Sequence, residues 1–384
     1  MVKLSDTGAS IDSTLARAKQ QLGKNNDYIV GSYLFPGWLL TNGGGPNPSA
    51  PWDAVITSNP ERTPILGAYD ESLQHINDAR FGWMQQYGLD FVAIDWFMQF
   101  SGATLIPFLE HVVNCHKACT GRKPKFCLQF ANQTNGGSLN TSTWVTIYNY
   151  WIANYFFDPF YYKINGCPVV IINSHPSFRG SFASNAQVHQ MLDQARTAAV
   201  AAGLPGIYFL AGHADSSSAW TDVARIQDGW DAVCASNVFK TTRQNIDKTG
   251  DNTLSAMPTT YAGLHNAIFQ NEVGSGSART RGFCRGWLDS AGVGPVWIPC
   301  SAGFQPTDDW NLGVPTTLIG QPTLSEFHQN LAAAKSLIDA NPTKTARTIT
   351  ISAWNELGEG GFIEPTAKWG FELLRAIRTI LSNN

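Results

Sequence analysis

Nowhere in this chain do apolar residues run together for the roughly 18 positions that a membrane-spanning helix needs, so insertion into a bilayer is not expected. A surplus of charge of one sign is missing as well. The 26 Lys and Arg nearly balance the 29 Asp and Glu, for a net charge of −3, and charged residues are only 14% of the total. Such a chain has no basic field to neutralise phosphates or attract anionic lipid, and nucleic acid is not an expected partner. Metal-binding spacings of the His-x-x-x-His or Cys-x-x-Cys kind do not occur. His111, Cys115 and Cys119 would share a helix face, but His111 and Cys119 lie about 12 Å apart along a helix, too far for one ion. They read as an ordinary buried face, and no metal or other cofactor is expected. There is no internal repeat and no low-complexity tract. The opening residues Met1-Val-Lys-Leu-Ser-Asp6 are polar at once and form no secretory signal. The expected location is the cytoplasm, or the cell envelope or exterior if the sequence is a mature form. The seven cysteines are an odd number, so at least one has no partner within the chain. Most sit beside apolar or turn segments, as small core residues do.

What the chain has in quantity is apolar and aromatic residues: 43% are hydrophobic, with 13 Trp and 11 Tyr. That is more ring surface than a core needs. Core packing accounts for most of it, and the remainder suits a cleft in which rings stack on sugar faces. A chain of 384 residues can bury a core without disulfides or metal. Its length fits one large domain or two small ones.

Short apolar strands alternate with helical patterns along the whole chain. The candidate strands are Tyr28–Leu34, Asp90–Asp95, Lys125–Ala131, Pro168–Asn173, Ile207–Ala211, Ala232–Ala235, Val296–Ser301 and Thr348–Ala353. Each is dense in large apolar residues, as strands buried on both faces are. Helices are predicted over Ser72–Tyr87, Leu105–Cys119, Thr143–Phe157, Gln187–Ala202, Trp220–Ile226, Tyr261–Gln270, Ser325–Ala340 and Trp369–Leu381, with Ser325 as a candidate cap and Glu326 as a plain surface acid. Eight strand–helix units predict a single (β/α)8 TIM barrel spanning residues 1–384. The Gly- and Pro-rich run Thr41–Pro51 and the stretch Phe304–Thr323 fall between strand and helix, and read as long loops on the barrel's top face. A doubly wound open sheet is the alternative, but no Gly-rich phosphate fingerprint follows the first strand.

A barrel of this kind builds its site at the C-terminal ends of the strands. The strand exits then name the candidates: Trp38 after the first, Asp95 and Trp96 at the second, Asn132 after the third, His175 after the fourth, His213 after the fifth, Gln305 after the seventh. Trp354, Asn355, Glu356, Glu359 and Glu364 follow the eighth. Asp, Asn, His and Gln can each grip sugar hydroxyls, and Trp38, Trp96 and Trp354 could supply stacking walls. An Asp or Asn at a strand end is also a common helix cap, and a lone His is more often structural than catalytic. Cys300 as a nucleophile, with His175 or His213 as base, fits less well, because no helix N-terminus adjoins it.

The richest segment is Ile349-Thr-Ile-Ser-Ala-Trp-Asn-Glu-Leu-Gly-Glu-Gly-Gly-Phe-Ile-Glu-Pro365. A β-branched run stops at an aromatic residue, an amide and two acids three positions apart. Two carboxylates beyond a buried strand are what glycosidic bond cleavage uses: one handles the leaving-group proton, the other supports the electron-poor sugar carbon. A solvated acidic loop is the plainer reading, but such loops seldom carry Trp354 and Asn355 at their root.

The stretch Trp354 to Pro365 resembles the Trp-Asn-Glu-Trp-x-Glu-Gly-x-x-Ile/Leu-Glu-Pro signature of the WbsX-like proteins, relatives of glycoside hydrolase family 99, the endo-α-mannosidases and endo-mannanases. Pro64–Asp70, Ala79–Asp95, Phe126–Asn132 and Asp158–Ile172 are similar to further passages of that family, in the same order. The resemblance implies a (β/α)8 barrel and an endo-acting, mannosidase-like glycosidase. It implies that Glu356 deprotonates the sugar 2-hydroxyl, which attacks its own anomeric carbon to give an anhydro-sugar. Glu359 would be the acid for the departing oxygen, then the base for water. Retention would follow without a covalent enzyme intermediate. Leu357 stands where the family usually has Trp, and Gln133 where a Glu is frequent, so mannose specificity does not carry over directly. The expected function is a retaining glycoside hydrolase acting on a polysaccharide or glycan. A glycosyltransferase of polysaccharide assembly and a non-catalytic glycan-binding barrel are the alternatives. A homo-oligomer or larger assembly stays open.

Overall fold

The computed structural model describes residues 28–40, 52, 55, 57, 59–101, 104–132, 139–212, 228–235, 260–262, 265, 269, 284, 288, 295–305 and 320–381. The expected helix Trp220–Ile226, the loop Thr41–Pro51, most of Tyr261–Gln270 and of Phe304–Thr323, and the candidate His213 lie outside the described residues.

Eight strands line up in parallel: β1 (Ile29–Leu34), β2 (Phe91–Ser101), β4 (Lys125–Phe130), β6 (Cys167–Ile172), β7 (Tyr208–Ala211), β8 (Ala232–Val233), β9 (Ile298–Ser301) and β10 (Thr348–Ser352). Their order across the sheet is β8-β7-β6-β4-β2-β1-β10-β9, and two short strands off this path, β3 (Thr104–Phe108) and β5 (Lys163–Ile164), pair with β2 and β6. All eight predicted strands are present, with ends moved by a few residues. Runs such as Val169–Ile172 and Phe91–Ile94 are buried throughout, because a parallel strand is covered on both faces and its side chains must be apolar on both. The sheet is curled, and a single bridge links its last strand β8 to the residues that lead into β9. Val233 forms a parallel bridge with Val296, two residues ahead of β9. The Val233 N–H donates to Pro295 O at 3.1 Å, and the Trp297 N–H donates to Val233 O at 3.0 Å.

Eight α-helices flank the sheet among the described residues: α1 (Gln74–Gln86), α2 (His111–Ala118), α3 (Thr141–Asn154), α4 (His175–Gly180), α5 (Asn185–Ala201), α6 (Leu324–Ala340), α7 (Pro342–Thr345) and α8 (Glu372–Leu381). The sequence reading extended α2 back to Leu105, and this is corrected. Thr104–Phe108 is strand β3, paired antiparallel with Phe97–Ser101 of β2. Pro107 cannot sit inside a helix, and exposure along Thr104–Pro107 alternates, as it does on a strand. The cap of α6 is Thr323 rather than Ser325. Its hydroxyl accepts from the Glu326 N–H while Glu326 reaches back to the Thr323 N–H. Glu326 is thus half of a capping box and not a plain surface acid.

Inside the curl, at the N-terminal side, Phe91 stacks on Tyr162 with ring centroids 4.6 Å apart and leans on Trp297 at 5.4 Å. Gly31 of β1 makes room for this stack, since a Cβ there would come within 2.1 Å of the Phe91 ring. A second, smaller apolar cluster gathers at the opposite edge, around Phe35, Trp38, Trp52, Tyr69, Phe97, Leu357 and Phe362. It forms the bed for the segment after β10. None of the seven cysteines is in a disulfide.

Candidate active site at the C-terminal edge of the sheet

The chain leaves β10 through a cis Ser352–Ala353 peptide and folds into a small hairpin. In it, β11 (Asn355–Glu356) pairs antiparallel with β12 (Gly361–Phe362). Asn355 roots this hairpin. Its Oδ1 accepts the Phe35 N–H at 2.9 Å, and its Nδ2 donates to Phe35 O at 2.8 Å and to Glu71 Oε1 at 2.9 Å. The indole of Trp38 donates to the Asn355 carbonyl at 2.8 Å. The amide side chain therefore completes the hydrogen bonding where β1 ends, as an added strand would.

Every residue from Ala353 to Thr366 is buried except two, Glu356 and Glu359, which are half-buried. The alternation follows from the tight turn. Leu357 packs down into the apolar bed, and the two acids on either side of it are carried outward. The turn is pinned from two directions. Arg62, in the 3-10 turn Pro60–Arg62, donates to Leu357 O at 3.1 Å and to Gln305 Oε1 at 3.3 Å. The Gln305 N–H donates to Glu359 O at 2.6 Å. Gly360 lies at φ 73°, where a Cβ would stand 2.8 Å from Gln305 O. Only glycine fits that close approach in the left-handed region.

Beneath the hairpin is a charged cluster with no exposure to solvent. Arg80 Nη1 is 2.7 Å from Glu71 Oε1, and Arg80 Nε is 3.2 Å from Glu364 Oε1. The other oxygen of Glu71 accepts the Trp38 N–H at 2.9 Å. Tyr69 donates to Glu364 Oε2 at 2.8 Å, and its ring lies 5.0 Å from the Arg80 guanidinium carbon. Burial pushes the Glu71 carboxyl up to about 7, against the pull of Arg80 and the Trp38 N–H. Burial raises Glu364 as well, again opposed by Arg80. Burial works against the charge of Arg80, yet Tyr69, Glu71 and Glu364 hold its pKa above the ordinary value.

Several expected sugar contacts take other places. Trp38, Trp96 and Trp354 are fully buried. Trp38 packs on Trp52 with centroids 4.5 Å apart. Trp96 faces the helix layer, its Nε1 donating to the Tyr155 hydroxyl at 3.0 Å. A ring with no open face cannot stack on a sugar, so these three are corrected to core residues. Asn355 and Glu364, fully enclosed, belong to the support below the acids. His175 is buried too, with Nε2 3.4 Å from Asp228 and its ring edge-on to Trp230 at 5.6 Å. Asn132 ties two strand exits together: its amide donates to Ser174 O and accepts the Ser174 N–H, both at 2.8 Å. Asp95 and Gln305 are half-buried and remain at the edge with Glu356 and Glu359. Cys300 is enclosed, with its thiol toward Asn330 O at 3.8 Å and its pKa raised by burial. The nucleophile alternative fails on that geometry.

Sequence reasoning passed over Arg62, Tyr69, Glu71, Arg80 and Gln129. Gln129 is in register with Asp95 and donates to Asn173 Oδ1 at 3.2 Å, adding amides to the same interior layer. One signal was available. Arg80 shares the buried face of α1 with Ile76, Phe81 and Met84, and a charge at a core position of a helix demands a buried partner. A groove of about 1080 Å³ runs along α5, lined by Tyr148, His189, Gln190, Asp193 and Thr197. It lies on the outside of the helix layer, away from the strand ends. Among the described residues, no group of His, Cys, Asp and Glu could hold a metal ion, and no helix is long and apolar enough to cross a membrane.

The curled parallel sheet and the acid-bearing hairpin after its last strand define an α/β protein of the TIM-barrel type. Within that class the chain belongs to the WbsX family: the family model described as "Glycosyltransferase WbsX" matches residues 58–377. Among solved structures it is similar to the GH99 endo-alpha-mannosidase of Bacteroides thetaiotaomicron in complex with BIS-TRIS-propane, with a TM-score of 0.57 and 15% identity over 92% of this chain and 96% of that one. A second structure of an enzyme described in the same way gives a TM-score of 0.55 at 15% identity, with the same shares covered. A protein described as "Glycoside hydrolase-like protein" gives 0.57 at 13% identity, over 94% of this chain and 95% of that one. At these identities the likeness is one of fold. No curated protein matches the sequence.

Proposed function

We propose that the protein is a glycan-processing enzyme, a retaining glycoside hydrolase on a single closed (β/α)8 domain, with Glu356 and Glu359 as its working acids. One observation carries this reading: in Ala353–Thr366 only these two side chains reach solvent, at the strand ends where barrels of this class do chemistry. In the proposed reaction, ionised Glu356 takes the proton of the sugar 2-hydroxyl, and that oxygen attacks its own anomeric carbon. The bond to the leaving oxygen breaks, and Glu359 gives that oxygen its proton. The anhydro-sugar is then opened by water, which Glu359 deprotonates while Glu356 returns its proton to the 2-oxygen. Two inversions at one carbon give net retention. Asp95 and Gln305, half-buried at the same edge, are the proposed contacts for sugar hydroxyls. Asn355, Glu71, Arg80 and Glu364 fix the hairpin from below. Endo action on a mannose-containing chain is the substrate class suggested by the fold neighbours.

The test is a glycan panel screened for new reducing ends, with Glu359→Gln alongside. Release by the wild type and none by the variant supports the reading; equal turnover by both overturns it. The description of the family model favours a second reading, transfer from an activated sugar donor. It predicts consumption of a sugar nucleotide with growth of an acceptor glycan, and no reducing ends from glycan alone.

A further inference from the structure

We propose that Arg62 is a positioning residue: its buried guanidinium clamps the turn between Glu356 and Glu359 to the loop after β9, and so sets where the two carboxylates stand. The inference rests on the reading above for its catalytic meaning, but the clamp can be tested without activity.

Arg62 is only 1% exposed, and among the described residues it forms no ion pair. Taking a guanidinium out of water with no carboxylate in contact, and only the charge of neighbouring Glu61 acting on it, is costly, and an apolar side chain often stabilises such a site better. A residue kept for stability alone would not be an arginine here. What it does have is two acceptors on two different chain segments. Leu357 O, at 3.1 Å, belongs to the residue directly after Glu356. Gln305 Oε1, at 3.3 Å, belongs to the loop after β9, and the backbone N–H of the same Gln305 holds Glu359 O at 2.6 Å. One planar side chain thus joins the turn that carries both acids to the loop after β9, as a fork of fixed geometry can and a lysine cannot.

The base of the fork is itself rigid. The Lys368 N–H donates to Glu61 O at 3.0 Å, the Ala367 N–H to Thr63 O at 2.8 Å, and the Ile65 N–H to Pro365 O at 2.9 Å. Arg62 therefore stands on backbone sewn to the chain just beyond the hairpin. The turn has no slack either: a Cβ at Gly360 would sit 3.2 Å from Arg62 Nη2, and one at Gly361 would sit 2.7 Å from Gly303 O. A shift of the arginine must move the turn with it.

Arg62→Met keeps an unbranched apolar stem and removes both donors. Arg62→Lys keeps the charge and can reach one acceptor. Amide hydrogen exchange of residues 355–362 is read against β10 in the same molecule. In Arg62→Met the hairpin is expected to exchange at least about 10-fold faster, with β10 unchanged, and Arg62→Lys to fall between. On a glycan the wild type cleaves, kcat of Arg62→Met is expected to drop about 100-fold, the scale of a displacement near 1 Å, with KM within about threefold. Wild-type exchange in Arg62→Met overturns the clamp, as does a loss that appears equally in β10. If Arg62→Met does not fold, wild-type exchange in Arg62→Lys overturns it. A wild type inactive on every glycan would sink the hydrolase reading and leave the exchange result to decide the clamp.

Discussion

Glu71 and Glu364 lie in the same fold as Glu356 and Glu359, a few residues or one hydrogen bond away, yet the two pairs live in different media. The first pair has no exposure and shares Arg80 between its members. The second rides on a turn whose other residues are all buried. Residue type is identical, so the difference comes from placement alone. An enclosed carboxylate with its oxygens committed to a guanidinium, a backbone N–H and an amide has little freedom to receive or give a proton to a ligand. Glu356 and Glu359 are instead half-buried at the edge of the sheet, within reach of solvent. The enclosed pair holds up the half-buried one through Asn355, whose amide touches Glu71 on one side and the end of β1 on the other.

The sharpest way to break this contrast is to neutralise each pair in turn. Glu359→Gln is expected to lower kcat on an unactivated glycan by about 10³-fold, within the range of general acid–base catalysis, while the melting temperature stays at the wild-type value. Glu356→Gln is expected to behave in the same way, and an active Glu356→Gln would remove the 2-hydroxyl route. Arg80→Met should do the opposite. It leaves two buried carboxylates without their cation and is expected to cost about 3–5 kcal/mol in denaturant unfolding. A loss below 1 kcal/mol would mean the cluster is not the support described.

A finer test uses pH. The Glu71 carboxyl is raised by burial from 4.5 to about 7, so the folded state binds the proton more tightly than the unfolded one. Its contribution to stability is fully present below about 4.5 and is lost as pH rises through about 7. The wild-type minus Glu71→Gln difference in unfolding free energy should fall across that window, and a flat difference curve would contradict it. The smallest effect is a control away from both pairs. Thr323→Ala removes the cap of α6 and is expected to cost about 1 kcal/mol, with kcat unchanged.

Much of the frame was legible in the sequence because a strand covered on both faces must be apolar on both, and that leaves a continuous signal. The β-branched run of β10 and the acids after it were readable for the same reason. The hairpin β2–β3 was not, since Leu105, Ile106 and Phe108 fit a helix face as well as a strand, and only Pro107 argued otherwise. The aromatic walls were misjudged: a tryptophan at a strand exit looks the same in sequence whether it turns into the cleft or, like Trp96, toward a helix. The support was missed because Glu71 and Arg80, close together early in the chain, meet Asn355 and Glu364 from its far end. Their meeting depends on how α1 packs against the end of β1, which no local pattern encodes.

The Phe91–Tyr162–Trp297 stack has a kinetic consequence. It stoppers the inside of the curl at the N-terminal side, which leaves the C-terminal rim as the side of approach. Under the proposed function, a glycan fragment cut at the acids would leave across the same rim that the next chain must cross. Turnover would then slow as fragments accumulate, and shortening the rim would relieve that slowing more than any change at the stopper.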